Sequence, residues 1–218
     1  MLKSEARCLG EYLRGLDSQL IDPMLNIGSS TKEFRSNIQP WIDGEIFKPL
    51  ISQKVKVVHS DIKDADGVDL VGDLCDHEFL SKLSGMKFRS IICANMLEHV
   101  TDRKVICDGL EEIVSSAGYI IVTVPYNYPY HPDPIDTRYR PVPEELASLF
   151  PSCDLVYHDI IDCGTYRDRL PAGFMGLSMM VVRLCMPFYK PVSWWRQICF
   201  IPWVFRQFKV TFAVFKKK

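Results

Sequence analysis

Residues 88–100 read FRSIICANMLEHV and residues 118–146 read GYIIVTVPYNYPYHPDPIDTRYRPVPEEL, and these two segments decide the fold. Each has an apolar run rich in β-branched residues, at 90–94 and 119–124, and a helical pattern separates the two runs. A strand, a helix and a second strand in this order indicate a parallel α/β sheet. The second run ends at Pro125, and ligands bind at such strand ends in open α/β folds. The polar and aromatic loop that follows is therefore a candidate site.

Residues 24–74 predict the other half of the sheet. Short strands are expected at 23–27, 55–59 and 69–74, and the small residues GSST at 28–31 follow the first strand. A loop of small residues lets a ligand approach the backbone closely. It also turns the free N–H groups of the next helix toward that ligand.

Two aspartates follow the second and third predicted strands. Asp61 suits a ribose diol, because a carboxylate can accept hydrogen bonds from both hydroxyls. Asp73 could accept one from an exocyclic amine such as that of adenine. Either aspartate alone is commonly a solvated strand end, but the two together, after a loop of small residues, favour a nucleoside site.

The remaining patterns complete one domain of 218 residues. Apolar residues at helical spacing predict an amphipathic helix over 2–20, and β-type runs predict strands at 154–161 and 207–215. The expected fold class is α/β, with a Rossmann-like, seven-stranded, mostly parallel sheet that is flanked by helices and has a reversed last strand. We divide the domain into an N-terminal helix (1–22), a core (23–161), a helical hydrophobic insertion (162–206) and the final strand (207–216).

The insertion is basic and rich in tryptophan and proline. The chain up to Asp168 has 17 basic and 27 acidic residues, a formal charge of −10, whereas nine basic and no acidic residues follow. Basic segments with large apolar side chains bind anionic membrane surfaces, which is one prediction for residues 170–206. Packing on the acidic domain, a lid over the site and a homodimer interface are the alternatives.

Composition also bears on the environment of the protein. The eight cysteines are dispersed without CxxC or Cys/His metal spacing, which indicates reduced thiols in the cytoplasm and no metal site. The first residues lack the apolar region of a signal peptide. The longest uncharged apolar run, thirteen residues at 170–182, is too short to span a bilayer. We expect a cytoplasmic protein, peripheral at the inner membrane face if the insertion binds lipid, and no nucleic-acid partner.

The order of these parts resembles that of class I S-adenosylmethionine-dependent methyltransferases, particularly the methyltransferase type 11-like group. The likeness covers about residues 24–150 and the last strand. It is most specific in MLEHV at 96–100 and in the AGYI turn at 117–120. The loop at 124–138 is similar to that of methyltransferases found with surface-polysaccharide synthesis.

The resemblance implies S-adenosyl-L-methionine as the cofactor. The first loop of this family has an acidic residue followed by Gly-x-Gly-x-Gly. In this chain Asn26 replaces the acid, Gly28 matches, Ser30 replaces the second glycine and Lys32 stands at the third. The residues that the resemblance assigns to the cofactor are Asn26, Gly28, Ser30, Asp61, Asp73, Leu74 and Asn95.

An alcohol acceptor would also need a general base. The candidates are His131 in the long loop and His99 after strand four, although His99 also suits a packing role. Aromatic rings can stack on a sugar, aspartates can orient a histidine or bind hydroxyls, and arginines can hold a phosphate or carboxylate. The candidates for substrate binding are therefore Tyr126, Tyr130, Asp133, Asp136 and Arg138. A proline-rigidified surface connection is the alternative for this loop.

The predicted function is methyl transfer to a hydroxyl or carboxylate of a small molecule or glycan, in one version lipid-linked. The altered first loop supports a second hypothesis, a non-catalytic methyltransferase-like module that binds a membrane or a partner protein. A Rossmann oxidoreductase is disfavoured because the dinucleotide glycine pattern is missing.

Overall fold

A computed structural model describes residues 1–131, 135–169, 178, 181–182, 184–186, 188–189 and 191–218. The strands are β1 (Met24–Ile27), β2 (Val57–Asp61), β3 (Leu70–Val71), β4 (Phe88–Ala94), β5 (Val114–Asn127), β6 (Cys153–Asp162) and β7 (Lys209–Lys217). They form one sheet with the order β3-β2-β1-β4-β5-β7-β6. The pairs from β3 to β5 are parallel, and β7 runs antiparallel to both β5 and β6. The predicted fold class is confirmed, including the reversed last strand.

Helices cover both faces of the sheet. The α-helices of the described part are α1 (Lys3–Arg14), α2 (Ser18–Ile21), α3 (Lys48–Ser52), α4 (His77–Gly85), α5 (Arg103–Ile113), α6 (Pro143–Ala147) and α7 (Pro191–Phe200). Two π-helical turns, Phe34–Ile38 and Asp43–Phe47, precede α3. Short 3₁₀ turns lie at Leu97–His99, Tyr166–Arg169 and Ile201–Val204.

Alternating side chains of the central strands divide the core into two clusters, one on each face. In β4, Ile91 and Cys93 belong to one cluster and Ile92 to the other. In β5, Ile120 and Val122 pack with α4, α5 and α6, whereas the intervening Ile121 packs with α1 and α3. This alternation follows from the two-residue period of a strand. It explains why the central strands are apolar on both sides.

Some element bounds differ from the prediction. β5 starts at Val114 rather than at 119, because Phe88 pairs with Val114 and an irregularity then accommodates the extra residues, with Ala117 at φ +59°. It also continues past Pro125 to Asn127, since pairing with β7 extends over the proline. β2 covers 57–61 rather than 55–59, and β3 is reduced to two residues. The predicted helix over 2–20 is two helices, and Asp17 caps the second by accepting from the N–H of Gln19.

α1 lies across the face of the sheet beside the second π-helical turn. A side chain at Gly10 would meet the carbonyl oxygen of Glu45 at 2.1 Å, so glycine permits this close approach. The Arg14 guanidinium donates to the same oxygen at 2.7 Å. The contact fixes the start of the chain above the carboxyl ends of the strands.

Only part of the predicted insertion falls within the described residues. There α7 leads into the turn at Ile201–Val204, and Trp203 stacks on Phe208 with ring centroids 5.0 Å apart. No helix in the described part of the chain is long and apolar enough to cross a bilayer.

Candidate functional site

A cavity of about 980 Å³ lies at the carboxyl ends of β1, β4 and β5. Its first-loop wall consists of Asn26, Gly28, Ser29, Ser30, Arg35 and Asn95, and its histidine wall consists of Glu98, His99, Pro125, Tyr128 and His131. The N-terminal segment, with Met1 to Lys3 and Glu5, closes a third side. The cavity is at the upper end of the size range of small-molecule sites.

The first loop turns sharply after β1. Gly28 has φ +66°, and a side chain there would lie 3.1 Å from the sulfur of Met96, so both the backbone conformation and the space favour glycine. Ser30 also has a positive φ, of 55°. Its N–H donates to Asp61 Oδ2 at 2.7 Å, and the N–H of Lys63 donates to Asp61 Oδ1 at 3.0 Å. The carboxylate of Asp61 therefore joins the first loop to the end of β2.

Arg35 binds the backbone of the first loop and was not among the predicted site residues. Its side chain is buried, and its guanidinium donates to the carbonyl oxygens of Ser29, Ser30 and Gly67 at 3.0, 2.7 and 2.8 Å. Burial lowers the pKa of Arg35, and neighbouring aspartates, Asp43 first, counteract this effect. The arginine thus joins the first loop to the connection between β2 and β3. Its role depends on that approach, for which the sequence has no local signal.

The seven residues predicted for the cofactor divide into two groups. Asn26, Gly28, Ser30 and Asn95 line the cavity, whereas Asp61, Asp73 and Leu74 lie outside its wall. Asp73 Oδ1 accepts from the N–H of Cys75 at 2.9 Å, because β3 ends before it and the chain turns there. Leu74 is buried in the core.

The amide of Asn26 is fixed by a histidine of β2. Its Nδ2 donates to His59 Nδ1 at 3.0 Å. Burial, with a further contribution from Arg35, lowers the pKa of His59 to about 4, which keeps the ring neutral near pH 7. A neutral ring is what this hydrogen bond needs, since Nδ1 must act as the acceptor.

Asn95 at the end of β4 is held by the N-terminal helix. It has φ +50°, and its Nδ2 donates to Glu5 Oε1 at 2.6 Å. Thr123 Oγ1 donates to the same oxygen at 2.7 Å, and the N–H of Leu2 donates to Oε2 at 2.9 Å. Glu5 is therefore a buried carboxylate with three donors. Glu5 was not among the predicted site residues, because in the sequence it looks like any polar residue of an amphipathic helix.

Glu98 on the histidine wall has the opposite surroundings. Its side chain is fully buried, and neither carboxyl oxygen has a hydrogen-bond partner among the residues that the structure describes. Burial raises the pKa of Glu98 to about 8. His99 Nε2 is 3.7 Å from Glu98 Oε1.

The two predicted catalytic histidines lie together. The rings of His99 and His131 are edge to face with centroids 5.3 Å apart. His99 Nδ1 hydrogen-bonds the carbonyl oxygen of Ile135, and His131 Nδ1 lies 3.2 Å from both the Pro129 carbonyl oxygen and Asp136 Oδ2. Burial lowers the pKa of His131, although the Pro129 hydrogen bond and Asp136 raise it.

Asp136 organises the long loop. It is buried and accepts from the N–H groups of His131 and Arg138 at 3.0 and 2.8 Å, and from both terminal nitrogens of Arg140 at 3.1 and 2.7 Å. Burial alone would raise the pKa of Asp136, but these hydrogen bonds, that from Arg140 first, lower it to about 2. The carboxylate predicted to bind substrate thus uses its oxygens within the loop.

The other predicted substrate residues are dispersed. Tyr130 is 54% exposed, with the Arg138 guanidinium 5.1 Å from its ring centroid, and Tyr126 is partly buried outside the cavity wall. Asp133 lies outside the described residues. Tyr128 lines the cavity instead, and its ring is 5.1 Å from that of His131 and 5.3 Å from that of Phe208.

Comparison with known proteins gives a fold but no close relative. No protein-family model matches the sequence, and no curated protein matches it. Among solved structures, the chain is similar to a SAM-dependent methyltransferase from Archaeoglobus fulgidus, with 15% identity, TM-score 0.56, and 99% and 92% of the two chains covered. It is also similar to coclaurine N-methyltransferase bound to N-methylheliamine and SAH, with 12% identity, TM-score 0.55, and 98% and 70% covered. A third similar structure is the MccD protein, with 13% identity, TM-score 0.54, and 96% of each chain covered.

These similarities define the class of the fold. The seven-stranded sheet with an antiparallel β7 is a Rossmann-like α/β fold, and the chain shares this fold with the solved SAM-dependent methyltransferases.

Proposed function

We propose that the protein is an S-adenosylmethionine-dependent methyltransferase that acts on a small-molecule acceptor. One observation carries the proposal: a single cavity of about 980 Å³ runs from the first loop to the two histidines. It has room for a nucleoside cofactor at one end and an acceptor at the other. The methyltransferases with similar folds support this reading.

The first-loop wall would hold the cofactor, which supplies an electrophilic methyl group when bound. Gly28 leaves the backbone accessible, and Asn26 and Asn95 offer amide groups to polar atoms of the ligand. Each oxygen of Asp61 accepts one N–H and has further lone-pair capacity for a ribose hydroxyl. To reach a ribose in the cavity, the carboxylate would turn away from the N–H of Ser30.

The histidine wall would receive the acceptor. Transfer requires the nucleophile to approach in line with the methyl group, so positioning supplies much of the rate. His131 contacts Asp136 and Pro129 through Nδ1, so its Nε2 would be the atom that accepts a proton from an acceptor hydroxyl. Tyr128 supplies an aromatic surface beside it.

A finer proposal concerns the acceptor and the insertion. The basic, tryptophan-rich composition of residues 170–206 supports an acceptor at an anionic membrane surface, such as a lipid-linked glycan of surface-polysaccharide synthesis. The enzyme would then be cytoplasmic and peripheral to the inner membrane face. Co-sedimentation with anionic vesicles tests this part. Pelleting that disappears at high salt supports membrane binding by residues 170–206. If the protein does not pellet at low salt, a lid and a homodimer interface are the remaining hypotheses for this segment.

A non-catalytic module is the second candidate, and the first loop favours it. The N–H of Lys32 donates to the Asp66 carbonyl oxygen at 2.9 Å, and Arg35 donates to Gly67, so the β2–β3 connection lies against the loop. A side chain at Gly67 would meet Lys32 Cβ at 2.4 Å. The first loop is therefore fixed by protein contacts of its own, without a bound nucleoside.

Calorimetric titration with S-adenosylmethionine separates the two candidates. We expect wild-type protein to bind with a dissociation constant below about 1 mM, the upper end of common KM values. Asp61→Ala should weaken binding at least about tenfold, which corresponds to loss of roughly 1.4 kcal/mol. Asp64→Ala removes the same charge from an exposed site nearby and should bind as the wild type does. If wild-type protein gives no heat of binding at millimolar cofactor, the methyltransferase proposal is overturned and the non-catalytic module is the remaining candidate.

A further inference from the structure

Three side chains of the histidine wall have the chemistry of metal ligands. Glu98, His99 and His131 each offer a ligand atom, and these atoms all lie within 4.8 Å of one another. The residues come from two segments, the turn after β4 and the loop after β5, which the parallel pairing of those strands brings together. The sequence predicted no metal site, because that prediction depended on cysteine and histidine spacing within one segment.

The two imidazoles are oriented as metal-binding histidines are. A histidine ligand usually directs its other ring nitrogen to a carbonyl or carboxylate oxygen, which fixes the tautomer. His99 Nδ1 bonds the Ile135 carbonyl oxygen, and His131 Nδ1 lies 3.2 Å from both the Pro129 carbonyl oxygen and Asp136 Oδ2. Both rings therefore carry their proton on Nδ1 and keep the lone pair of Nε2.

Glu98 supplies an independent observation. Its side chain is fully buried and lines the cavity, and its two carboxyl oxygens have no hydrogen-bond partner in the described part of the chain. A buried carboxyl group without a partner costs free energy. A divalent cation at this place would supply the missing partner.

We propose that Glu98, His99 and His131 bind one divalent transition-metal ion at the acceptor end of the cavity. Two imidazoles and one carboxylate suit ions of the series from Mn²⁺ to Zn²⁺ better than Mg²⁺ or Ca²⁺, which prefer oxygen ligands. Three protein ligands leave coordination positions open toward the cavity, as in catalytic metal sites. Small side-chain movements would bring the three ligand atoms to bonding distance of one ion.

A metal ion bound here would also affect the chemistry of the acceptor, an inference that rests on the proposed methyl transfer. It would occupy the lone pair of His131 Nε2, so this histidine could not also act as the base. An acceptor hydroxyl bound to the ion would lose its proton to solvent water in the open cavity more easily, because coordination lowers the pKa of an oxygen ligand. The acceptor class would then be one whose hydroxyl or carboxylate oxygen can coordinate a metal.

Titration of chelator-treated full-length protein with Co²⁺, without cofactor or acceptor, tests the site. We expect one equivalent to bind with the visible absorption of a nitrogen- and oxygen-ligated ion. Glu98→Gln and His131→Ala should each weaken binding at least tenfold. His158→Ala and His77→Ala change exposed histidines on β6 and α4 and should bind as the wild type does. In a parallel titration with Zn²⁺, bound metal is measured by elemental analysis after gel filtration. The wild type and the variants should have the same order of affinity for Zn²⁺ as for Co²⁺.

The outcomes separate the metal proposal from the proposed function. Equal Co²⁺ affinity in wild type, Glu98→Gln and His131→Ala overturns the metal site, whether or not the cofactor binds. Glu98→Gln nearly preserves shape, so it remains informative if His131→Ala fails to fold. If the protein binds metal in a way that depends on Glu98 but does not bind S-adenosylmethionine, the proposed metal site stands and the proposed methyltransferase activity is overturned.

Discussion

The first-loop wall and the histidine wall differ in how completely hydrogen bonds from the protein satisfy their buried polar groups. On the first-loop wall, protein partners hold most of the groups: Asn95 donates to Glu5, and the two terminal nitrogens of Arg35 donate to three carbonyl oxygens. Arg35 Nε has no hydrogen-bond partner among the described residues, but it lies 3.8 Å from Asp43 Oδ1. On the histidine wall, Glu98 has no hydrogen-bond partner among the described residues. A paired polar group stabilises the fold, and an unpaired buried one costs free energy. The conformation of the first-loop wall is therefore stabilised by protein contacts. A bound ligand would stabilise the histidine wall more than the first-loop wall.

The largest effect should follow from breaking the first-loop wall at Arg35. Arg35→Ala leaves the carbonyl oxygens of Ser29, Ser30 and Gly67 without their charged donor. We expect the free energy of unfolding in urea to fall by about 3–5 kcal/mol, since removing the charged donor leaves one buried and two partly buried carbonyl oxygens unpaired. Arg7→Ala on the exposed face of α1 is the control and should change it by less than about 0.5 kcal/mol. A loss below about 1 kcal/mol for Arg35→Ala would mean that the wall does not depend on this arginine.

A change of opposite sign is expected on the histidine wall. Glu98→Met replaces an unpaired buried carboxyl group by an apolar side chain of similar length. In the presence of a chelator, the free energy of unfolding should rise by about 1–3 kcal/mol, because the cost of the unpaired group disappears. Glu112→Met on the exposed side of α5 should stay within about 0.5 kcal/mol of the wild type. If Glu98→Met destabilises the metal-free protein, the contrast between the walls is wrong.

The smallest expected change in the free energy of unfolding concerns the backbone conformation of the first loop. Ser30 has φ +55°. Ser30→Gly should raise the free energy of unfolding by about 0.5–1 kcal/mol, because relief of the left-handed conformation, about 1–2 kcal/mol, exceeds the entropy cost of glycine, about 0.5–1 kcal/mol. It also removes a side chain from the cavity, so calorimetry should show severalfold tighter binding of S-adenosylmethionine. Lys54→Gly is the matched control, because Lys54 has φ +66° and is exposed outside the cavity wall. It should stabilise the protein similarly and leave the affinity unchanged. Equal affinity in both variants would show that Ser30 does not limit the cofactor.

The sheet could be predicted because each strand carries its own signal. Runs of β-branched residues locate β4, β5 and β7, and their two-sided apolar character reflects burial on both faces. The early start of β5 could not be predicted, because Val114 continues the helical pattern of α5 and only pairing with Phe88 makes it a strand residue.

The site was predictable only where residue type and position decide it. Gly28, Asn95 and the two histidines follow strand ends, and all four line the cavity. Arg35 and Glu5 also bond residues far along the chain, Gly67 at 32 positions and Asn95 at 90, and no local sequence pattern indicates these contacts. Glu98 lies inside a segment read as packing, and its lack of a partner is a property of the folded surroundings.

The position of β7 has a consequence for the time course of synthesis. This strand follows every other strand along the chain, yet it lies between β5 and β6. In the described sheet β6 pairs with β7 alone. While the ribosome has not yet released residues 209–217, a ten-residue strand and the edge of β5 both present unpaired backbone groups. The nascent domain is therefore most prone to wrong strand pairing in this interval, and emergence of β7 pairs the edge of β5 and one edge of β6 in one step.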